Sequence, residues 1–214
     1  MASALLLSGC AAPEVLAPRD GAVPAGVDLT GDWRIRTDQR EDERQLRQAI
    51  RRTDGVDEED IYRPPSRQSS SRRSRSVKGG LVYVFLETGA ALKVTQTDHA
   101  LFISFDRAIV EEFRFGENRI VSVGEVQAQR VTGWVEDALV VETLDRNSMK
   151  LTDSYRLVSG GQVLERTITL RSSKGERETI VQLFDRAGSK GPETGPQARR
   201  DIRPATPSPE ESRQ

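Results

Sequence analysis

The strongest constraint on the fold is a series of short alternating segments between residues 80 and 186. In one of them Leu92 and Val94 alternate with polar residues, so apolar side chains fall on one face of an extended chain. Turn residues such as Gly160 separate the segments at roughly ten-residue spacing. This rhythm predicts about eight to ten antiparallel strands in a meandering sheet or barrel, an all-β fold class.

Two elements precede this series. Residues 28–37 are predicted to form the first strand, with Trp33 on its apolar face. Residues 41–52 are predicted to form one short helix, because apolar residues recur at helical spacing from Leu46 onward. Residues 81–86 fit either a short strand or a helical turn, since periodicity does not distinguish the two.

Two segments, 63–80 and 187–214, hold almost no large apolar residues, which explains a hydrophobic content of only 36%. They cannot bury enough apolar area to offset the entropy of ordering, so we predict both to be disordered. The first is basic and serine-rich and follows an acidic run. It can be interpreted as a patch that contacts an anionic polymer or as a solvated linker, and its low complexity favours the linker.

Residues 7–10, Leu-Ser-Gly-Cys, resemble the bacterial lipobox, in which an apolar and two small residues precede the cysteine that receives lipid. The resemblance implies a signal-peptide remnant and a membrane anchor through lipid on Cys10. Because the apolar run is short and no basic residue precedes it, we expect the start codon to lie upstream. By resemblance to proteobacterial lipoproteins, Ala11 and Ala12 favour the outer membrane, with the protein facing the periplasm. Residues 11–27, rich in Ala, Pro and Gly, are predicted to be a tether.

The predicted domain organisation follows from these segments. A chain of 214 residues allows one domain and barely two. We expect the signal remnant and tether at 1–27, one β domain at 28–186 that carries the charged insertion 63–80, and the tail at 187–214. Without insertion and tail, the segment that builds the core has an ordinary single-domain size.

Several classes of function are disfavoured by composition. One cysteine and one histidine supply neither an internal disulfide nor the usual zinc ligand sets. A net charge of −1 gives no reason to expect nucleic acid as a partner, and no apolar run of about 18 residues predicts a spanning helix. The sequence has no phosphate loop, nucleophile elbow or metal motif. We therefore expect no enzymatic activity, no catalytic residues, no cofactor and no bound metal.

Four polar residues fall in register with the apolar face of their strands, and in a barrel they would point into the lumen. These candidate ligand residues are Gln96, Arg130, Arg166 and Gln182. Buried polar groups need partners, so the four side chains either bind the head group of a ligand or bond to one another and to the barrel mouth.

The opening strand, Gly31-x-Trp33, and Arg186 at the end of the last strand resemble lipocalin-type calycin barrels. In that family the tryptophan closes the barrel floor and a late arginine packs across it, which implies a structural floor of Gly31, Trp33 and Arg186. The chain also resembles uncharacterised proteobacterial lipoproteins with a lipocalin-like β domain. The shared motifs are an FRFG strand at 113–116, a GW-x-x-x-x-LVVET strand at 133–143 and the final FDRA at 184–187.

These observations favour a non-enzymatic envelope protein that binds a lipid or another small apolar or amphipathic molecule. The alternative is a protein-interaction or structural module with a filled core. Interior volume separates the two, because a ligand cavity needs about 300 Å³ or more.

Overall fold

The structure is a computed structural model that describes residues 14–54 and 81–188. Its elements are strand β1 (Gly31–Ile35), helix α1 (Gln39–Asp54), a 3₁₀ turn (Leu81–Phe85), and strands β2 (Ala91–Gln96), β3 (Ala100–Phe105), β4 (Ile109–Arg114), β5 (Asn118–Val123), β6 (Val126–Val135), β7 (Ala138–Asp145), β8 (Lys150–Val158), β9 (Val163–Arg171) and β10 (Arg177–Arg186). Cys10 and the predicted disordered segments lie outside the described residues, except for Ala187 and Gly188.

The ten strands form one antiparallel sheet in the order β4-β3-β2-β1-β10-β9-β8-β7-β6-β5. The first and last strands are neighbours, with Trp33 opposite Arg186 and Ile35 opposite Phe184. The sheet curves into a half-barrel, accompanied by one α-helix among the described residues, which confirms the predicted fold class. Within the described residues no ladder joins β4 to β5, so the curved sheet is open along these two strands.

Strand directions give the half-barrel two ends. At the floor end lie Trp33, Arg186 and the turns at 97–99, 136–137 and 159–161. At the mouth end lie α1, the 3₁₀ turn and the turns at 106–108, 124–125, 146–149 and 172–176. One apolar cluster fills the floor half around Trp33, and a second lies beneath α1 at the mouth.

Helix α1 forms and covers the mouth for local reasons. Asp38 caps its first turn, because the Asp38 carboxylate accepts a hydrogen bond from the Arg40 amide at 2.8 Å. Leu46 and Ala49 are buried against Ile168 and Ile180 of the sheet. The apolar segment at 81–86, which fitted strand or turn, is a 3₁₀ turn whose Val82 is fully buried in the same cluster.

Residues 14–20 of the predicted tether at 11–27 lie against the outer wall of the barrel, whereas Val23 and Val27 pack against the apolar cluster around Trp33. Leu16 is 3% exposed and covers Val131 and Leu144, two apolar side chains on the outer face of β6 and β7. The Asp20 carbonyl accepts a hydrogen bond from the Trp134 amide at 2.8 Å. A Cβ on Gly133 would lie 2.4 Å from that carbonyl, so only glycine allows this approach. The composition of the segment suggested a linker. Composition does not reveal that the outer face of β6 and β7 is apolar and is covered by another part of the chain.

Candidate functional site

Two of the four polar side chains predicted to face the lumen, Arg166 and Gln182, lie on the neighbouring strands β9 and β10. Antiparallel register places Arg166 opposite Tyr155 on one neighbour and opposite Gln182 on the other. Asp153 lies two residues before Tyr155, on the same face of β8. Strand alternation therefore brings one cation, one carboxylate, a phenol and an amide together inside the apolar barrel.

Arg166 is fully engaged by its neighbours. Its Nε and Nη2 donate to the two Asp153 carboxylate oxygens at 2.9 and 2.7 Å, and Nη2 also donates to the Glu87 carbonyl at 2.9 Å. Nη1 donates to Gln182 Oε1 at 3.4 Å. The guanidinium carbon lies 5.3 and 5.4 Å from the ring centroids of Phe105 and Tyr155. Arg166 therefore uses its hydrogen-bond donors within the core, and its guanidinium presents no free pair of N–H groups to an anionic ligand.

Charge and burial fix the protonation of this cluster. Burial alone would lower the pKa of Arg166, but the neighbouring groups Asp153, Tyr155 and Glu87 together raise that pKa, so the guanidinium stays charged. Burial raises the pKa of Tyr155 well above its ordinary value, so the phenol stays protonated. The Tyr155 hydroxyl accordingly donates to Asp153 Oδ2 at 2.8 Å.

Arg130 forms a second polar group beside the open side of the sheet. Its Nη1 donates to Glu111 of β4 at 3.2 Å, and its Nε donates to Thr143 Oγ1 at 3.3 Å. The guanidinium carbon also lies 5.5 Å from the ring centroid of Phe85 and 5.7 Å from that of Phe113. The Arg130–Glu111 ion pair thus bridges the opening that the backbone ladder leaves.

The other predicted ligand residue, Gln96, has a different role. Its Oε1 accepts a hydrogen bond from the Leu29 amide at 2.9 Å, and its Nε2 donates to the Val27 carbonyl at 2.9 Å. The side chain therefore fixes the chain that enters β1, rather than joining Arg130, Arg166 and Gln182 in the interior. The alternation of apolar residues along β2 placed Gln96 on the inner face. That pattern did not show that the backbone of residues 27–29 crosses the same face.

The interior leaves almost no space. The cavity between the two arginines measures about 10 Å³, enough for about one water molecule and far below a ligand pocket. A second cavity of about 10 Å³ lies under α1 beside Asp42, Leu46 and Gln182. Neither of these two cavities, which lie among the described residues, has room for such a ligand. The first cavity is lined by Phe85, Glu87, Phe105, Glu111, Phe113, Arg130, Val141, Thr143, Leu151, Asp153 and Arg166.

The three predicted floor residues meet at the end opposite the mouth. The Arg186 guanidinium carbon lies 4.2 Å from the centroid of the Trp33 ring, and Arg186 Nη1 donates to the Thr30 carbonyl at 2.9 Å. A Cβ on Gly31 would lie 2.6 Å from that same nitrogen. Glycine is therefore what lets the guanidinium lie across the indole.

Sequence reasoning missed the open edge formed by β4 and β5. Val110 and Ile120 are each 65% exposed, and Ile109 and Val123 are exposed as well. β5 pairs only with β6 among the described strands, so in that part of the chain its other edge has no strand to accept or donate the ladder hydrogen bonds. The sequence did contain a signal for this edge, because each of the two strands has two adjacent β-branched residues. Adjacent residues in a strand point to opposite faces, so one of each pair must be exposed.

A groove of about 220 Å³ runs along the outside of the barrel beside β5 and the start of the described leader. One Asp145 oxygen at its edge is buried and has no hydrogen-bond partner in the described part of the chain. Burial raises the pKa of Asp145, although the amides of Met149 and Asn147 oppose the shift. The groove is lined by Glu14, Ile120, Gln127, Ala128, Gln129, Leu144, Asp145 and Arg146.

Over residues 14–54 and 81–188, no group of three or more His, Cys, Asp or Glu side chains is arranged to hold a metal ion. In the same part of the chain, no helix combines the length and the apolar character that a membrane crossing requires.

No protein-family model matches the chain, and no curated protein matches it. Several solved structures of lipocalin-like β-barrels resemble it. Secretory abundant heat soluble protein 4 from Ramazzottius varieornatus is 15% identical with a TM-score of 0.44, over 75% of this chain and 96% of that one. Lipid binding protein 8 from Caenorhabditis elegans is 12% identical with a TM-score of 0.44, over 76% and 99%. Zebrafish ileal bile acid-binding protein, solved with cholic acid, is 11% identical with a TM-score of 0.40, over 74% and 98%.

Proposed function

We propose that this chain is a lipid-anchored protein of the cell envelope that acts as a non-enzymatic interaction module. The observation that carries the proposal is the contrast between a filled interior and an exposed apolar edge on β5. The interior cavity is about 10 Å³, so the leading expectation of a small-molecule cavity gives way to the alternative of a filled core.

The edge of β5 suits the addition of an extended strand from a partner protein. The Thr132 amide donates to the Glu117 carbonyl, which fixes the phase of the ladder between β5 and β6. Because hydrogen-bonded pairs alternate in an antiparallel ladder, the backbone groups of Ile120 and Ser122 then point to the free side. Main-chain bonds along this side supply affinity, and exposed Ile120 supplies an apolar contact.

Photo-crosslinking in cells tests this function. A photoreactive residue at Ile120 should give a discrete adduct, whereas one at Val181, which is 54% exposed but central in the sheet, should not. Ser122→Pro should abolish the adduct because it removes an outward amide, and Ser122→Ala should preserve it. Equal adducts at both positions, or an adduct that persists in Ser122→Pro, would contradict strand addition.

The envelope location is proposed separately, on the lipobox resemblance of residues 7–10, and we place the protein at the outer membrane facing the periplasm. Labelling with a palmitate analogue should tag the full chain expressed from an upstream start, and Cys10→Ser should remove the tag. Label that remains on Cys10→Ser would refute the anchor.

A second candidate is the binding of an apolar or amphipathic small molecule inside the barrel. The observation that favours it is the open side of the sheet, where the Arg130–Glu111 ion pair links β4 and β6 across the gap. A ligand would have to break that pair and displace core side chains. Native mass spectrometry of protein purified from envelopes distinguishes the candidates, because a retained lipid mass supports the ligand and a bare monomer or a protein complex does not.

A further inference from the structure

The leader of this chain is fixed to the barrel with a definite direction. The Leu16 amide donates to Gln129 Oε1 at 2.9 Å, and Gln129 Nε2 donates back to the Leu16 carbonyl at 3.2 Å. Arg19 then forms an ion pair with Glu142, and Asp20 bonds the backbone of Trp134. From residue 14 to residue 20 the leader therefore runs along the outer wall from the mouth end toward the floor end.

The start of the described leader lies at the mouth end. The Glu14 carboxylate lies 3.5 Å from Lys150 Nζ and also forms an ion pair with Arg171. Lys150 begins β8 and Arg171 ends β9, directly beside the turns at 146–149 and 172–176. The ion pairs with Lys150 and Arg171 thus fix the position of Glu14, from which the chain continues toward Cys10.

Covalent reach restricts where Cys10 can be. Three residues separate Cys10 from Glu14, and at about 3.3–3.6 Å a residue their Cα atoms lie within roughly 14 Å. The ten residues of β6 span roughly 33 Å between the two ends. A lipid on Cys10 consequently leaves the protein from the mouth end, close to the wall of β6–β9.

The turns beside Glu14 have the charge that an anionic lipid surface would bind. Arg146, Lys174 and Arg177 are all exposed there, and Glu176 is the exposed acid among them. Lys150 and Arg171 stand next to these cations and are balanced by Glu14 and Glu142. Basic clusters next to a lipid anchor are attracted by anionic headgroups and add to the anchor.

We infer that the mouth end, at the turns 146–149 and 172–176, rests on the headgroups of the anionic phospholipid leaflet that holds the anchor. The inference depends on the lipidation proposed above. It places the Trp33–Arg186 floor away from the membrane and turns the mouth, with α1, toward it.

Resonance energy transfer on the lipidated full chain tests this orientation. Cys10 is the only cysteine, so once its sulfur carries lipid an introduced cysteine is the single free thiol. A donor dye on Ser173→Cys at the mouth should transfer several times more energy to acceptor-labelled headgroups than a donor on Asp98→Cys at the floor. The vesicles contain phosphatidylglycerol. Equal transfer from both positions, or the reverse order, would overturn the inference.

Two sets of variants distinguish the contribution of the basic residues at the mouth end from that of basic residues at the floor end. Arg146→Gln, Lys174→Gln and Arg177→Gln together should weaken vesicle binding of the Cys10→Ser chain by about fivefold for each charge removed. The matched triple at the floor end, Arg114→Gln, Arg119→Gln and Arg156→Gln, should leave it unchanged. Equal losses from the two triples would refute a specific membrane-facing end. Because this arm uses an unlipidated chain, it is independent of whether Cys10 accepts lipid.

The leader is tested by Glu14→Gln combined with Leu16→Ser, with Glu165→Gln as a control at another ion pair on the outer wall. Freeing the leader should reduce the difference in energy transfer between the mouth and floor positions, while the protein stays bound to vesicles through its lipid. An undiminished difference would show that the leader does not set the orientation.

Discussion

The two sides of the half-barrel solve the problem of buried polar groups in opposite ways. Around β8–β10 the strands pair continuously, and Arg166 is surrounded by Asp153, Gln182 and a backbone carbonyl. Around β4–β5 the ladder is interrupted, and the Arg130–Glu111 ion pair stands at the opening. The comparison teaches that the first side is a scaffold whose polar groups are already satisfied, whereas the second has a strand edge without a strand partner among the described residues, which is the edge that the proposed interaction would use.

The largest expected effect concerns the scaffold side, at Trp33. Its side chain is 1% exposed and donates from Nε1 to the Leu29 carbonyl at 3.1 Å. Trp33→Ala should cost roughly 3–5 kcal/mol, which is a large share of the stability of a small domain. Chemical denaturation measures this loss. A loss below about 1 kcal/mol would mean that the floor does not hold the sheet together.

The buried ion pair should show an asymmetric response. Asp153→Ala leaves the Arg166 charge buried and uncompensated, which should cost about 3–4 kcal/mol in the free energy of unfolding. The triple variant Asp153→Leu, Tyr155→Phe and Arg166→Met removes the whole cluster and should recover most of that loss. If the triple is as unstable as Asp153→Ala, the cluster supports the fold by more than charge balance.

The cation over the floor tryptophan should contribute less. Arg186→Ala should cost about 1–2 kcal/mol, through the loss of the indole contact and of the hydrogen bond to the Thr30 carbonyl. Arg186→Lys should recover only part of this loss because lysine lacks the flat guanidinium. Complete recovery by lysine in the same denaturation series would show that charge alone matters.

The smallest effect belongs to the open side and depends on pH. Burial, and then the Glu111 charge, raise the pKa of Glu87 from its ordinary value of 4.5, so ionisation of Glu87 weakens the fold. Stability from this group is present below the unfolded pKa and is lost as the pH rises through the folded pKa. Glu87→Gln should therefore stabilise the protein at pH 7 by less than about 1 kcal/mol. Denaturation at low pH should show no gain, and a gain at both pH values would point to packing instead.

Much of the fold could be predicted because strand alternation reflects burial directly. The strands and helix α1 follow from patterns that each segment carries alone, whereas the contact of Trp33 on β1 with Arg186 on β10 was implied by the calycin resemblance. Inner-face polar residues were also identifiable, and Arg130, Arg166 and Gln182 are buried. Gln96 was the exception, since the backbone that binds its amide lies 67 residues away in sequence.

The sequence by itself determined which faces are apolar, since a period of two assigns every side chain in a strand to one side or the other. It also carried the lipobox resemblance at Cys10. Tertiary structure alone decided what those faces enclose, because the volume left between side chains depends on how tightly the sheet curves. It also decided that residues 14–20 cover an outer wall, that β5 has one strand partner among the described residues, and that the described leader begins at the mouth. Each of these depends on contacts between segments far apart in the chain, and no local pattern specifies such contacts.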